Sequence, residues 1–182
     1  DYGDIMKKMR PGHADATYLA KYGLRDYRGS GRASGRETIG RVTAGAIAIK
    51  LLAQMGIKIT AYTRRAAGVE CKTIDFDVIE KNPVRAADAE AAEEMVRRIE
   101  QLAAEGNSTG GIVECVVEGI PAGLGEAVFD KLDAEIAKAM LSLGAVKGIE
   151  FGAGFAAADM KGTEHNDEIA PDGHLTNNAG GI

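Results

Sequence analysis

The sequence predicts a layered domain built from both helices and strands. Three features predict it: apolar residues switch between a helical and a two-residue period along the chain, glycines punctuate the switches, and helix-like and strand-like segments alternate. At 182 residues with 45% apolar side chains, the chain has the size of a single domain and enough hydrophobic surface for a substantial core.

The elements follow in order. Over 37–55, Ile39, Val42, Ala46, Ile47, Ile49, Leu52 and Met55 recur at helical spacing and Gly56 stands where a C-terminal cap belongs, so a buried helix is expected. Residues 57–63 (IKITAYT) alternate at period two and are rich in β-branched side chains, which predicts a strand. Asn82-Pro83 breaks the chain. The stretch 86–105 then carries Met95, Ile99 and Leu102 on one stripe among Glu and Arg, an amphipathic helix ending at Gly106. A short apolar run between glycines, 110–119 (GGIVECVVEG), reads as a strand, and 120–125 as a turn-rich connection. Val128, Phe129, Leu132, Ile136, Met140 and Leu143 mark one face of a helix from Glu126 onward, with Gly144 placed to end it in a left-handed conformation. Residues 146–151 (VKGIEF) read as a strand and 152–182 as glycine-rich loop. This order leaves the direction of the sheet open.

Charge is distributed unevenly. Between Lys7 and Arg41 stand nine Lys/Arg against Asp15, Asp26 and Glu37, a local +6, while the remaining 13 basic and 24 acidic residues give −11. Such asymmetry argues against a uniformly basic nucleic-acid binder and for a concentrated patch that receives a small polyanion. Arginine keeps its charge and grips phosphate or carboxylate with a planar fork, so Arg10, Arg25, Arg28, Arg32, Arg36 and Arg41 are candidate anion ligands. Gly29, Gly31 and Gly35 let a ligand approach the backbone, and Arg36 and Glu37 lie at the start of the expected helix, where amides and dipole favour an anion. Composition alone fits a phosphate cradle and a solvated basic loop equally. His13 follows Arg10-Pro11-Gly12, a tight-turn signal that could aim its imidazole at the same cavity, although a lone histidine is more often structural than catalytic. His165 and His174 stand in polar surroundings and read as surface residues.

No run approaches the ~18 apolar residues that span a bilayer, and no charged-then-apolar leader is present, so a cytoplasmic protein without membrane contact is expected. Cys71 and Cys115 are far apart, lie in or near β-like runs and read as two buried reduced thiols. No metal-ligand spacing, Ser-His-Asp order or Walker-type loop occurs. Asp1 at the start and Ile182 directly after NNAGG make both ends read as internal to a longer polypeptide.

Five collinear strings, RPGHADATYLAKYGLRDYRGSGRASGRET, GRVTAGAIA, GLGEAVFDKLDAEIAKAMLSLGAVKGIEFGAGF, GTEHNDE and TNNAGGI, together resemble the signature blocks of the chorismate synthase family across essentially the whole chain. One block would be weak; five in order are specific. The resemblance implies a lyase of the shikimate pathway that eliminates phosphate and a ring hydrogen from 5-enolpyruvylshikimate 3-phosphate to give chorismate. It implies a requirement for reduced FMN, reduced either by the same polypeptide using NADPH or by a separate reductase. It further implies an α+β fold, a layered β-α-β sandwich with helices packed between antiparallel sheets, in a cytoplasmic homotetramer. Because family members extend further at both ends, 1–182 is expected to be a single incomplete domain from the centre of such an enzyme, inactive by itself.

Residue by residue, the family's second catalytic histidine carries over to His13, as proton donor near the flavin. Arg10 and Arg36 carry over as ligands of the substrate's anionic groups. Arg32, Ala33 and Ser34 match a flavin-contacting stretch that usually reads Arg-Ser-Ser, and Gly144 and Ala145 match a second such pair, usually Asn-Ala. Ala33 therefore lacks a hydroxyl and Gly144 a side-chain amide. The family's first catalytic histidine, further substrate arginines, a lysine-threonine segment for the flavin phosphate and a catalytic aspartate have no counterpart here. The competing expectation is a module that binds RNA or a phosphorylated ligand without chemistry, its bases stacked on Tyr18, Tyr22 and Tyr27.

Overall fold

The computed structural model describes residues 3–28, 31–171 and 173–181. Its helices are α1 (Asp15–Tyr22), α2 (Thr38–Gln54), α3 (Ala89–Ala104), α4 (Leu132–Leu141) and the single turn α5 (Gly162–His165). Its strands are β1 (Lys58–Ala66), β2 (Val69–Glu70), β3 (Gly111–Glu118), β4 (Ile169–Ala170) and β5 (Gly173–His174). All strand pairs within the two sheets are antiparallel, which gives the α+β class and fixes the direction that element order had left open. The chain divides into two compact units, 45–120 and the combined segments 1–44 and 121–182.

Within 45–120, β1 pairs with β3 from Lys58 opposite Glu118 to Ala66 opposite Gly111, with a one-residue slip between Thr63 and Arg65. β1 turns into β2 through Ala67 and Gly68, both at positive φ (50° and 76°), the backbone of a tight hairpin whose twist suits the strands it joins. Two clusters fill the core: Cys71, Ala86, Ala91, Ala92 and Met95, and beside them Tyr62, Ile79 and Ala87. Small side chains at 86, 87, 91 and 92 let α3 sit close to its neighbours, and Met95 fills the remaining space at 0% exposure. Asp88 caps α3. One oxygen accepts the Ala91 amide (3.1 Å), and the other accepts the amides of Lys72 (2.9 Å) and Thr73 (3.1 Å). These backbone donors, Ala91 first, hold its carboxyl down to about 2.

In the other unit, α1 ends at Gly23, whose amide returns to the Leu19 carbonyl at 2.9 Å with φ 71°. Beyond residue 152, where a loop is expected, lie the turn α5 and the short β4–β5 pair, and Asp167 ties the segment together by accepting Thr176 Oγ1 (2.6 Å) and the amides of Asn178 (2.6 Å) and Ala179 (2.9 Å). That carboxylate joins the GTEHNDE string to the TNNAGGI string.

Several local expectations are corrected. The helix over 37–55 forms, capped as expected by Gly56 at φ 80°, but none of its side chains is buried; Ile39, Val42 and Ile47 are about 70% exposed. Its apolar residues surround the axis, so burial would need protein on every side, which the described residues do not supply. The later helix begins at Leu132 rather than Glu126, because Glu126 and Asp130 exchange backbone hydrogen bonds in a tight loop (2.8 and 3.0 Å) that leaves Val128 and Phe129 exposed. The left-handed residue after it is Ala145 (φ 69°), not Gly144. Residues 146–151 pair with no strand among the described residues, and a β-like run without a partner forms no ladder. Cys71 is buried, as expected, but Cys115 is exposed on β3. His174 is exposed and His165 half-buried.

Candidate functional site

The arginine segment is organised around a buried carboxylate. Pro11 and Gly12 (φ 72°) close a turn in which the His13 amide donates to the Arg10 carbonyl at 3.3 Å, so Arg10 and His13 stand at the two ends of one turn. Two residues later α1 begins, and Asp15 in its first turn is only 3% exposed. Arg10 grips it with both arms of its fork, Nε to Oδ2 at 3.0 Å and Nη2 to Oδ1 at 2.9 Å, and its backbone amide adds a third bond at 3.1 Å. Arg25 donates from Nη1 to the same Oδ2 at 2.9 Å, and from Nη2 to the carbonyls of Met6 (2.7 Å) and Lys8 (2.9 Å).

The Arg10 hydrogen bonds, joined by the charges of both arginines, hold the Asp15 carboxyl far below the usual carboxylate range despite its burial. Two guanidiniums thus converge on one carboxylate.

A cleft of about 560 Å³ opens next to this cluster, walled by Tyr18, Tyr22, Arg25, Asp26, Gly31 and Arg32. The two tyrosine rings pack edge to face, 5.1 Å between centroids at 60°. A narrower adjoining hollow is lined by Asp15, Tyr18, Arg25 and Ala33. The structure thus brings Arg32 and Ala33 to the surroundings of Asp15, and Arg10 to Asp15 itself. His13, Arg36, Gly144 and Ala145 line neither hollow.

The turn that presents Arg36 is built locally. Ser34 Oγ accepts the Arg36 amide (3.2 Å) and Thr38 Oγ1 donates to the Gly35 carbonyl (2.6 Å), which starts α2. The Arg36 guanidinium is exposed and forms no ion pair among the described residues, whereas Arg32 lies 3.5 Å from Glu37 and Arg28 packs on the Tyr27 ring. Arg41, in the first turns of α2, donates from Nη2 to the Oγ and carbonyl of Ser142, two residues before Gly144. Gly144 has open space where a side chain would stand. Gly29 lies outside the described residues.

Two organising residues carry no strong local signature, Asp15 and Ser142. In the sequence Asp15 is an offset to positive charge; its place five residues after Arg10, among nine basic residues, is the available signal. Nothing local distinguishes Ser142, because its partner is 101 residues away. Among the described residues no cluster of His, Cys, Asp and Glu is placed to hold a metal ion, and no helix is long and apolar enough to cross a membrane.

Comparisons with known proteins bear on the family of the chain. The family model described as chorismate synthase matches residues 1–182. Curated chorismate synthases from Syntrophobacter fumaroxidans (55% identical over all of this chain and 52% of the relative), Desulfatibacillum aliphaticivorans (56%, 99% and 50%) and Methanosarcina mazei (53%, 100% and 52%) are similar to it. A crystal structure described as chorismate synthase superposes with a TM-score of 0.83 at 33% identity, over 93% of this chain and 57% of that one. The chain spans about half the length of the curated relatives it matches.

Proposed function

Because this chain belongs to the chorismate synthase family, we propose that it forms part of an active site that eliminates phosphate and a ring hydrogen from 5-enolpyruvylshikimate 3-phosphate to give chorismate. The match over all 182 residues carries this reading, because it includes the whole arginine segment. A substrate with one phosphate and two carboxylates suits several guanidiniums better than one long polyanion does, since each anionic group takes its own charge-assisted contact.

Arg36, exposed in the turn before α2, binds one anionic group of the substrate. Arg10, oriented by its fork on Asp15, binds another anionic group, and His13, at the other end of the Arg10 turn, holds the proton that it donates. An aromatic and arginine-walled cleft bordered by Arg32, with Ala33 in the adjoining hollow, supports a place for FMN. Arg32, Ala33, Ser34, Gly144 and Ala145 would hold it. Reduced FMN, when bound, supplies reducing power transiently to the substrate, so that the reaction needs a flavin without net redox change. In the wider reading the enzyme is a cytoplasmic homotetramer and its flavin draws electrons from NADPH directly or through a reductase.

The test is an anaerobic assay of the full-length polypeptide carrying these residues, with reduced FMN and 5-enolpyruvylshikimate 3-phosphate. Chorismate and inorganic phosphate should appear in equal amounts. No turnover, together with RNA binding whose log affinity falls steeply with log salt, would replace the enzyme with a binding module.

A further inference from the structure

We propose that Asp15 is a positioning residue for the reaction: its buried carboxylate sets the Arg10–His13 turn by gripping the Arg10 guanidinium and amide while Arg25 ties the same oxygen to the 6–8 segment. This inference rests on the functional reading above, since it presumes that Arg10 and His13 serve the chemistry.

Asp15 and Asp88 are the buried charged side chains among the described residues. Burying a carboxylate is costly unless its partners compensate fully. Asp88 is accounted for by capping α3, its oxygens taking the amides of Ala91, Lys72 and Thr73. Asp15 caps nothing: its acceptors are used by two arginines and by the amide of Arg10, from positions five and ten residues away. The Arg10 fork is bidentate, which fixes orientation as well as distance. Arg10 Nε and Arg25 Nη1 converge on one oxygen, Oδ2, at 3.0 and 2.9 Å. Without the negative charge these two cations would face each other and repel. The turn from Arg10 to His13 would then lose the side-chain and main-chain bonds that tie it to Asp15, because the Arg10 amide donates to the same oxygen. One short turn separates the imidazole from that anchor, so a rotation at Arg10 is carried directly to His13.

The experiment compares wild type, Asp15→Asn and Asp15→Glu in the full-length polypeptide, reading kcat and KM for 5-enolpyruvylshikimate 3-phosphate alongside Tm. Asp15→Asn keeps the volume and loses the charge. It should raise KM, through a misdirected Arg10, and also lower kcat, through a displaced His13, for a combined fall in kcat/KM of about 30-fold or more. Asp15→Glu keeps the charge and so the fold, but its extra methylene moves both guanidiniums; about a fivefold to tenfold fall in kcat/KM is expected. In an Arg10→Lys background, which breaks the fork, Asp15→Asn should add little, because both changes remove the same arrangement. A lower Tm with kcat and KM within twofold of wild type in both Asp15 variants overturns the proposal, and if Asp15→Asn does not fold, Asp15→Glu alone decides. Wild type without turnover overturns the functional reading instead, so the two failures are distinct.

Discussion

Arg41 Nη2 donates to Ser142 Oγ at 3.1 Å and to the Ser142 carbonyl at 3.4 Å, joining the beginning of α2 to the end of α4. The contact is exposed, so it adds at most about 1 kcal/mol to stability. Its consequence is organisational, because Arg32, Ala33 and Ser34 precede α2 and Gly144 and Ala145 follow α4. Arg41→Ala should therefore lower Tm by no more than about 4 °C while weakening FMN binding about threefold to tenfold. Flavin fluorescence titration measures the second effect; unchanged affinity would show that the two segments do not share one flavin.

His13→Ala should leave the fold intact, since His13 is exposed and, among the described residues, its amide alone is used, to close the turn on Arg10. Loss of a positioned proton donor costs about 10²- to 10⁴-fold. Single-turnover chorismate formation should fall by that factor with circular dichroism unchanged, and near-wild-type turnover would remove His13 from the mechanism.

Arg36→Ala removes an exposed guanidinium with no ion-pair partner among the described residues, so stability should barely change. A lost charged hydrogen bond to substrate is worth about 1.5–3 kcal/mol, which appears as a KM raised roughly tenfold or more. Steady-state kinetics check this, and an unchanged KM would contradict the role.

Asp88 makes acid stability predictable. Its carboxyl titrates near 2 in the folded chain against an ordinary 3.8, so the ionised form is favoured by folding. The resulting stabilisation is complete above about pH 5 and disappears as pH falls through 4 towards 2. Asp15, Glu94 and Asp167 are lowered too and act in the same direction. Asp88→Ala should cost about 1–3 kcal/mol at pH 7. Urea melts at pH 7, 4 and 2.5 should show that difference shrinking; a constant gap would mean that the capping bonds do not depend on the charge.

Met95 is fully buried in the core around α3, so truncating it leaves a cavity. Met95→Ala should destabilise the chain by about 2–5 kcal/mol, read as a shift in the urea midpoint at constant slope.

By itself the sequence determined the elements with strong periodicity. The helix after the arginine segment, the strand that follows, the amphipathic helix around Met95 and the strand between Gly110 and Gly119 all lie within a few residues of their expected places. Each depends on local spacing, capping and turn chemistry, which sequence neighbours carry among themselves. The five collinear strings determined family membership in the same way. Tertiary structure alone decided what each element meets. It left α2 exposed and Cys115 unburied, turned 126–130 into a tight loop, and gave 146–151 no strand to pair with. It also converted Asp15 from one charge in a count into the centre to which Arg10 and Arg25 converge. Burial, strand pairing and buried ion pairs are relations between distant segments, and a residue's own neighbourhood in sequence does not contain the partner that decides them.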